Sequence, residues 1–138
     1  MDCKTVAVGS TVRLPVFTAG AGLYAGDLHA YQGDGEAFGK GLEFGGKITL
    51  RVTLHKGMSV TTPMLFTKEH TAAIGSAKTV SEAESRASEM LLQYLTEQNK
   101  MDFDEATFRI AVFGELRICQ IVNSLVTVRM ELTNDMVQ

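Results

Sequence analysis

The chain predicts an α+β fold, with a β-rich front over residues 1–57 and a smaller α+β part over residues 58–138. Three observations predict it. β-branched residues and apolar/polar alternation mark the opening and closing stretches, apolar residues at helical spacing fill the middle, and nine of the thirteen glycines crowd into residues 20–46. Strands, then helices, then strands again is the order of an α+β plan rather than of repeated βαβ units.

The elements follow in order. Residues 5–18, Thr-Val-Ala-Val-Gly-Ser-Thr-Val-Arg-Leu-Pro-Val-Phe-Thr, read as strand, and Pro15 places it at an edge or bulge because it has no N–H for a ladder. A strand so close to Met1 leaves room for the preceding strand to come from another chain. Residues 20–46 set glycines beside Asp27, His29, Asp34, Glu36 and Glu43, while Leu23, Tyr24, Leu28, Tyr31, Phe38, Leu42 and Phe44 anchor what reads as an ordered loop system. The run from Ile48 to His55 alternates apolar and polar throughout and is the most regular strand signal in the chain. Met64–Thr67 and Thr71–Gly75 read as a strand pair.

The period then changes. Ala83, Ala87, Met90, Leu91, Tyr94 and Leu95 share one face of an amphipathic helix of five turns, opened by a capping box at Thr79-x-x-Glu82 or Ser81-x-x-Glu84. Asp102-x-x-Glu105 opens a shorter helix with Phe103, Ala106, Ile110 and Phe113 inward and Gly114 as its stop. Leu116–Val122 and Leu125–Leu132 complete the chain as strands joined by a turn at Asn123–Ser124.

The formal charge is -3, from 13 Lys+Arg against 16 Asp+Glu without a run of either sign, which excludes a nucleic-acid footprint and an anionic-membrane partner. The acidic, short opening is no signal peptide, and no apolar run reaches the ~18 residues of a membrane span, so the cytoplasm is the expected location. Cys3 and Cys119 lack Cys-x-x-Cys spacing and are read as two free thiols, Cys119 as a small packed residue and Cys3 nearer solvent. His55 and His70 read as solvated bystanders.

Chemistry concentrates in Gly26–Glu36. Asp27 and His29, two residues apart, share a face on an extended segment and suit two ligands of one divalent ion, Zn²⁺ or Ca²⁺. Asp34 and Glu36 supply carboxylates at the same spacing, for coordination or for proton transfer from an activated water. Turn chemistry competes for Asp27 and Asp34, and a hydrogen-bonded structural imidazole for His29, because Asp beside Gly commonly bonds its own turn. Glu36, directly after Gly-Asp-Gly, has no such alternative task and is the first candidate for catalysis. The amides of Gly33 and Gly35 are candidates to hold an oxyanion of substrate.

Taken together, Leu14-Pro15-Val16-Phe17, Gly26-Asp27-Leu28-His29-Ala30 and Gln32-Gly33-Asp34-Gly35-Glu36 resemble the signature of the acetamidase/formamidase family. Gly41, Glu43, Leu116–Asn123 and Thr127-Val128-Arg129 extend the resemblance over nearly the whole chain. It implies a β-sandwich-like N-terminal part with a smaller α+β part, and hydrolysis of short amides such as formamide and acetamide. It also implies a chain corresponding to the C-terminal half of a longer relative, since Met1-Asp2 resembles an internal Asn-Met-Asp segment. A separate chain supplying the first half, or a homo-oligomer, is then the expected partner. Phe38, Lys40, Leu42 and Ser124 depart from the pattern, the first three near the expected site.

Overall fold

The structure is a computed structural model that describes residues 1–58 and 60–138. Among the described residues seven strands form: β1 (Thr11–Arg13), β2 (His29–Tyr31), β3 (Leu42–Glu43), β4 (Met64–Phe66), β5 (His70–Ala77), β6 (Glu115–Gln120) and β7 (Val126–Thr133). Two α-helices, α1 (Val80–Gln93) and α2 (Phe103–Phe113), lie between β5 and β6. The α+β class is borne out. Five strands make one antiparallel sheet in the order β1-β4-β5-β7-β6, and β2 and β3 make a separate ribbon.

Helix α1 starts where the sequence marks it. Thr79 accepts from the Glu82 amide while the Glu82 carboxylate accepts from the Thr79 amide, closing the capping box. Its inner face, Ala83, Ala87, Met90 and Leu91, is buried, and a π-helical turn, Tyr94–Gln98, continues it and buries Leu95. The Asp102 side chain caps α2 by accepting from the Asp104 and Glu105 amides, and Gly114 ends it.

Alternation along β7 organises the sheet. Val128, Met130 and Leu132 join Ala73, Ala77 and the inner face of α1 in the main core. The intervening Thr127, Arg129 and Glu131 are also buried, on the opposite face. That second face holds a smaller core of Cys3, Leu65, Ala72, Ile74 and Cys119. Gly75 lets α1 lie directly on β5, since a Cβ there would stand 2.0 Å from the Ala83 carbonyl oxygen.

Three expectations are corrected. The alternating run 47–55 has no ladder partner among the described residues, and Ile48, Leu50, Val52 and Leu54 are exposed. Alternation states which face a strand would bury, not what is present to cover it. The stretch 5–18 contributes only the three residues of β1, placed at the sheet edge by pairing with β4 and ending before Pro15. In α2 only Ala106 is fully buried, while Phe103 and Phe113 stay exposed among the described residues. The front therefore contributes three short strands and loops, and no second stacked sheet, among the described residues.

Candidate active site

The β2–β3 ribbon builds the first part of the site. His29 opens β2 and stands opposite Glu43 of β3, so that its Nε2 lies 3.1 Å from Glu43 Oε1. Asp27 approaches the same nitrogen at 3.4 Å from a left-handed backbone, φ 60, beside Gly26. One ligand atom from each of Asp27, His29 and Glu43 falls within 4.8 Å of the others. The other ring nitrogen, Nδ1, faces Gln32 Oε1 at 3.4 Å. Covering of the ring by its neighbours pushes its pKa down, but Gln32 and the carboxylates of Glu43 and Asp27 outweigh that and the net direction is up. Gly41 makes the packing possible, since a Cβ there would sit 2.6 Å from the His29 ring.

Asp34–Glu36 is fastened to the sheet. At the end of β6 the register shifts between Ile118 and Gln120, which makes Cys119 a bulge residue. The Gly35 amide donates to the Ile118 and Cys119 carbonyls at 2.8 and 3.2 Å, and the Ile121 amide donates back to the Gly35 carbonyl. The Gly35 N–H expected to face substrate is thus engaged by backbone, and only Gly33 of the two expected amides is left for that task. Arg129, buried in β7, donates to both oxygens of Asp34 at 2.8 and 3.3 Å and to Glu131 at 2.7 Å. Lys4 adds a second cation 3.0 Å from Asp34. Burial pushes the Asp34 carboxyl up, but the hydrogen bonds and charges of Arg129 and Lys4 prevail and its pKa is lowered.

Glu36 lies elsewhere although it is two residues away. Its backbone is left-handed, φ 44, its side chain makes no cap bond to the 3₁₀ turn Ala37–Gly39 that follows, and it is 8% exposed. A non-glycine residue in that region is strained, by about 1–3 kcal/mol, and such strain clusters at sites of function. Glu36 lines an open cavity of ≈ 440 Å³ together with Asp2, Asp27, Gly39, Val122 and Asn123. Gln120 shapes its rim: buried, it donates to the Leu125 carbonyl and Thr127 hydroxyl and accepts from the Val122 and Asn123 amides. Asn123 in turn donates to Asp2 at 2.8 Å.

The structure brings Asp27, His29 and Glu43 into one cluster and Asp27 and Glu36 onto one cavity, and it turns Asp34 toward cations. Sequence reasoning missed Lys4, read Asp2, Asn123 and Arg129 only through the resemblance or as a turn, and placed Glu43 in the loop system and the resemblance without a role. Glu43 had a local signal, an acid on a short apolar segment facing the Asp27–His29 strand across a glycine-rich turn. The rest meet the loop only through the tertiary fold.

Fold and site together define an α+β scaffold, with an imidazole and two carboxylates beside a cavity that holds a third. The family model described as Acetamidase/Formamidase family matches residues 1–105, and the chain belongs to that family. An acetamidase of Mycolicibacterium smegmatis is 49% identical over 57 residues, 41% of this chain and 14% of that protein. Crystal structures of acetamidases from Bacillus halodurans and Yersinia enterocolitica superpose with TM-scores of 0.87 and 0.95 at 38% and 30% identity. They are covered over 45% and 42% of their lengths by 96% and 100% of this chain, which therefore spans less than half of each.

Proposed function

We propose that the chain is the C-terminal half of an amidase that hydrolyses short aliphatic amides, formamide and acetamide, to ammonia and the carboxylate. The observation that carries the reading is the shared cavity of Glu36 and Asp27, with the Asp27–His29–Glu43 cluster at its edge. One imidazole nitrogen and two carboxylate oxygens form a donor set that fits a divalent cation, Zn²⁺ by the imidazole or Ca²⁺ by the oxygens. Such an ion supplies Lewis acidity toward an amide carbonyl and lowers the pKa of water. His29 would offer Nε2 and keep Nδ1–H directed at Gln32, a second partner that fixes ring orientation.

The protein's own groups divide the remaining work. Glu36, uncapped and facing the cavity, accepts the proton of the attacking water and returns it to the departing nitrogen. Gly33 offers its amide at the carbonyl oxygen. Asp34, clamped by Arg129 and Lys4, holds Gly35 and Glu36 in place rather than transferring protons, since a lowered pKa makes a weak base.

The exposed apolar run Ile48, Leu50, Val52 and Leu54 supports docking of the other half of the family's fold, from a separate chain or within a homo-oligomer. In that assembly the run 47–55 gains the strand partner and sandwich contact it lacks here, within a 1–57 front distinct from the 58–138 part. No helix among the described residues is long and apolar enough to cross a membrane.

Ammonia release from formamide and acetamide is the test, by the chain alone and mixed with the product of any reading frame immediately upstream. Glu36→Gln is expected to lower turnover by roughly 10²–10⁴-fold. Unchanged turnover in an active preparation removes Glu36 from the mechanism. Silence in both preparations, with one divalent ion still bound, favours a non-catalytic metal-binding module that keeps the family fold.

A further inference from the structure

Two sulfur groups stand next to this site and take no part in it. Cys3 and Cys119 lie far apart in sequence but share the small core on the second face of the sheet with Leu65, Ala72 and Ile74. Both are free thiols, and both are buried, contrary to the expectation for Cys3. Cys119 is the bulge residue of β6, whose carbonyl takes the Gly35 amide, and its Sγ receives a contact from Arg129 Nη1 at 3.8 Å. Cys3 contacts the Thr5 hydroxyl at 3.1 Å and lies between two residues of the site, Asp2, bonded to Asn123, and Lys4, paired with Asp34.

The two sulfurs are inequivalent. The neighbouring Cys119 thiol draws the Cys3 thiol down to about 6, against the opposing effect of burial, with help from Thr5 and the positive charge of Arg129. The neighbouring Cys3 and burial push Cys119 up. A thiol of lowered pKa beside one of raised pKa, in one small core, is the arrangement of an attacking and a resolving cysteine.

We propose that Cys3 and Cys119 are an oxidisable dithiol, a modification site at which a hydroperoxide converts the pair into an intramolecular disulfide. The Cys3 sulfur attacks the peroxide oxygen and the O–O bond breaks. The leaving alkoxide or hydroxide takes a proton, and Cys3 becomes a sulfenic acid. The Cys119 sulfur then attacks the Cys3 sulfur, the S–S bond forms, and hydroxide departs with the Cys119 proton as water. Two thiols and one hydroperoxide thus become one disulfide, one water and one alcohol or second water; the sulfurs lose the two electrons that the peroxide gains. The apolar walls of Leu65 and Ile74 favour a small oxidant such as hydrogen peroxide. The bond ties the segment bearing Asp2 and Lys4 to the strand end that holds Gly35, and it does so whether or not the chain hydrolyses amides.

The test treats the folded, reduced chain with hydrogen peroxide, then alkylates it under denaturing conditions and weighs it intact. The expected product carries no alkyl group and has lost about 2 Da, two hydrogens. Proteolysis is expected to yield one peptide pair joining Cys3 to Cys119, released by dithiothreitol. The oxidised chain is expected to unfold at higher urea concentration than the reduced one, because the bond closes a long loop. In Cys119→Ser the Cys3 sulfenic acid is expected to persist and to be trapped by dimedone. Two alkylatable thiols after treatment, intermolecular bonds only, or a bond that forms only in urea would each overturn the proposal. The wild-type measurement decides it even if the variant fails to fold.

Discussion

Replacing Arg129 by Met is the sharpest test of how the loop is held. The guanidinium is 3% exposed and makes three charge-assisted bonds, two to Asp34 and one to Glu131. Removing one partner of a buried pair typically costs about 3–5 kcal/mol, because the charge left behind is uncompensated. The lower end applies here. Asp34 keeps Lys4 and is partly solvated, and Glu131 keeps Arg117 at 3.4 Å, so neither carboxylate is wholly abandoned. A loss of ~3 kcal/mol, with a urea slope of about 1–3 kcal/mol per molar, lowers the unfolding midpoint by roughly 1–3 M. Arg129→Lys keeps the charge without the fork and is expected to recover less than half of that loss. Asp34→Asn leaves Arg129 with Glu131 and is expected to cost only about 1–2 kcal/mol. Urea unfolding followed by circular dichroism on the two single variants and their double variant measures the coupling. A midpoint shift for Arg129→Met below about 0.3 M, or strict additivity with Asp34→Asn, would refute the clamp.

Three further outcomes are expected. Gly41→Ala puts a Cβ 2.6 Å from the His29 ring and displaces it, so Zn²⁺ affinity by competition titration is expected to fall by roughly 10–100-fold. Gly45→Ala, with nothing within 4 Å, is the control and should leave that affinity unchanged. Gly75→Ala drives a methyl against the Ala83 carbonyl and must part α1 from β5, which lowers stability by about 1–3 kcal/mol in a thermal melt. The lowered pKa of Asp34 contributes stability that is present above the ordinary aspartate pKa and is lost as pH falls through the lowered value. Urea midpoints across the acid range should therefore fall less steeply in Asp34→Asn than in the unaltered chain, and parallel curves would remove Asp34 from the acid response.

The secondary structure of the second part was legible because each element there carries a local instruction. Thr79 and Glu82 cap one another within a single turn, Asp102 and Gly114 bracket α2, and β4, β5, β6 and β7 lie where the apolar runs lie. The front was legible only in part. The run 47–55 has as clean an alternation as any strand in the chain, yet Val52 and Leu54 face solvent. A strand needs a neighbour for its backbone as well as a pattern for its side chains, and that neighbour is not encoded within the run. Phe103 and Phe113 failed for the same reason: periodicity groups residues on a face, and only a packed partner decides whether that face is inside.

The two carboxylates of Asp34-Gly35-Glu36 show where local reading of a site runs out. Both are flanked by Gly35, and the sequence separates them only by the turn chemistry open to Asp34 and not to Glu36, leaving either as ligand or base. What separates their roles in the fold is Arg129, 95 positions from Asp34. Thr127, Arg129 and Glu131 alternate with Val128, Met130 and Leu132 and so look like the wet face of a half-buried strand. In the fold that face is covered, and a buried guanidinium must find carboxylates, so Arg129 takes Glu131 from its own strand and Asp34 from the loop. Asp34 is drawn to the cations and Gly35 is pinned to the β6 bulge, and the residue that follows takes a left-handed backbone at φ 44 and lines the cavity with Asp27. The clamp thus holds the two residues that precede Glu36. If Glu36 transfers the proton as proposed, a disturbance at Arg129 should reach that step without touching Glu36, and a fall in kcat at unchanged Zn²⁺ affinity would reveal it.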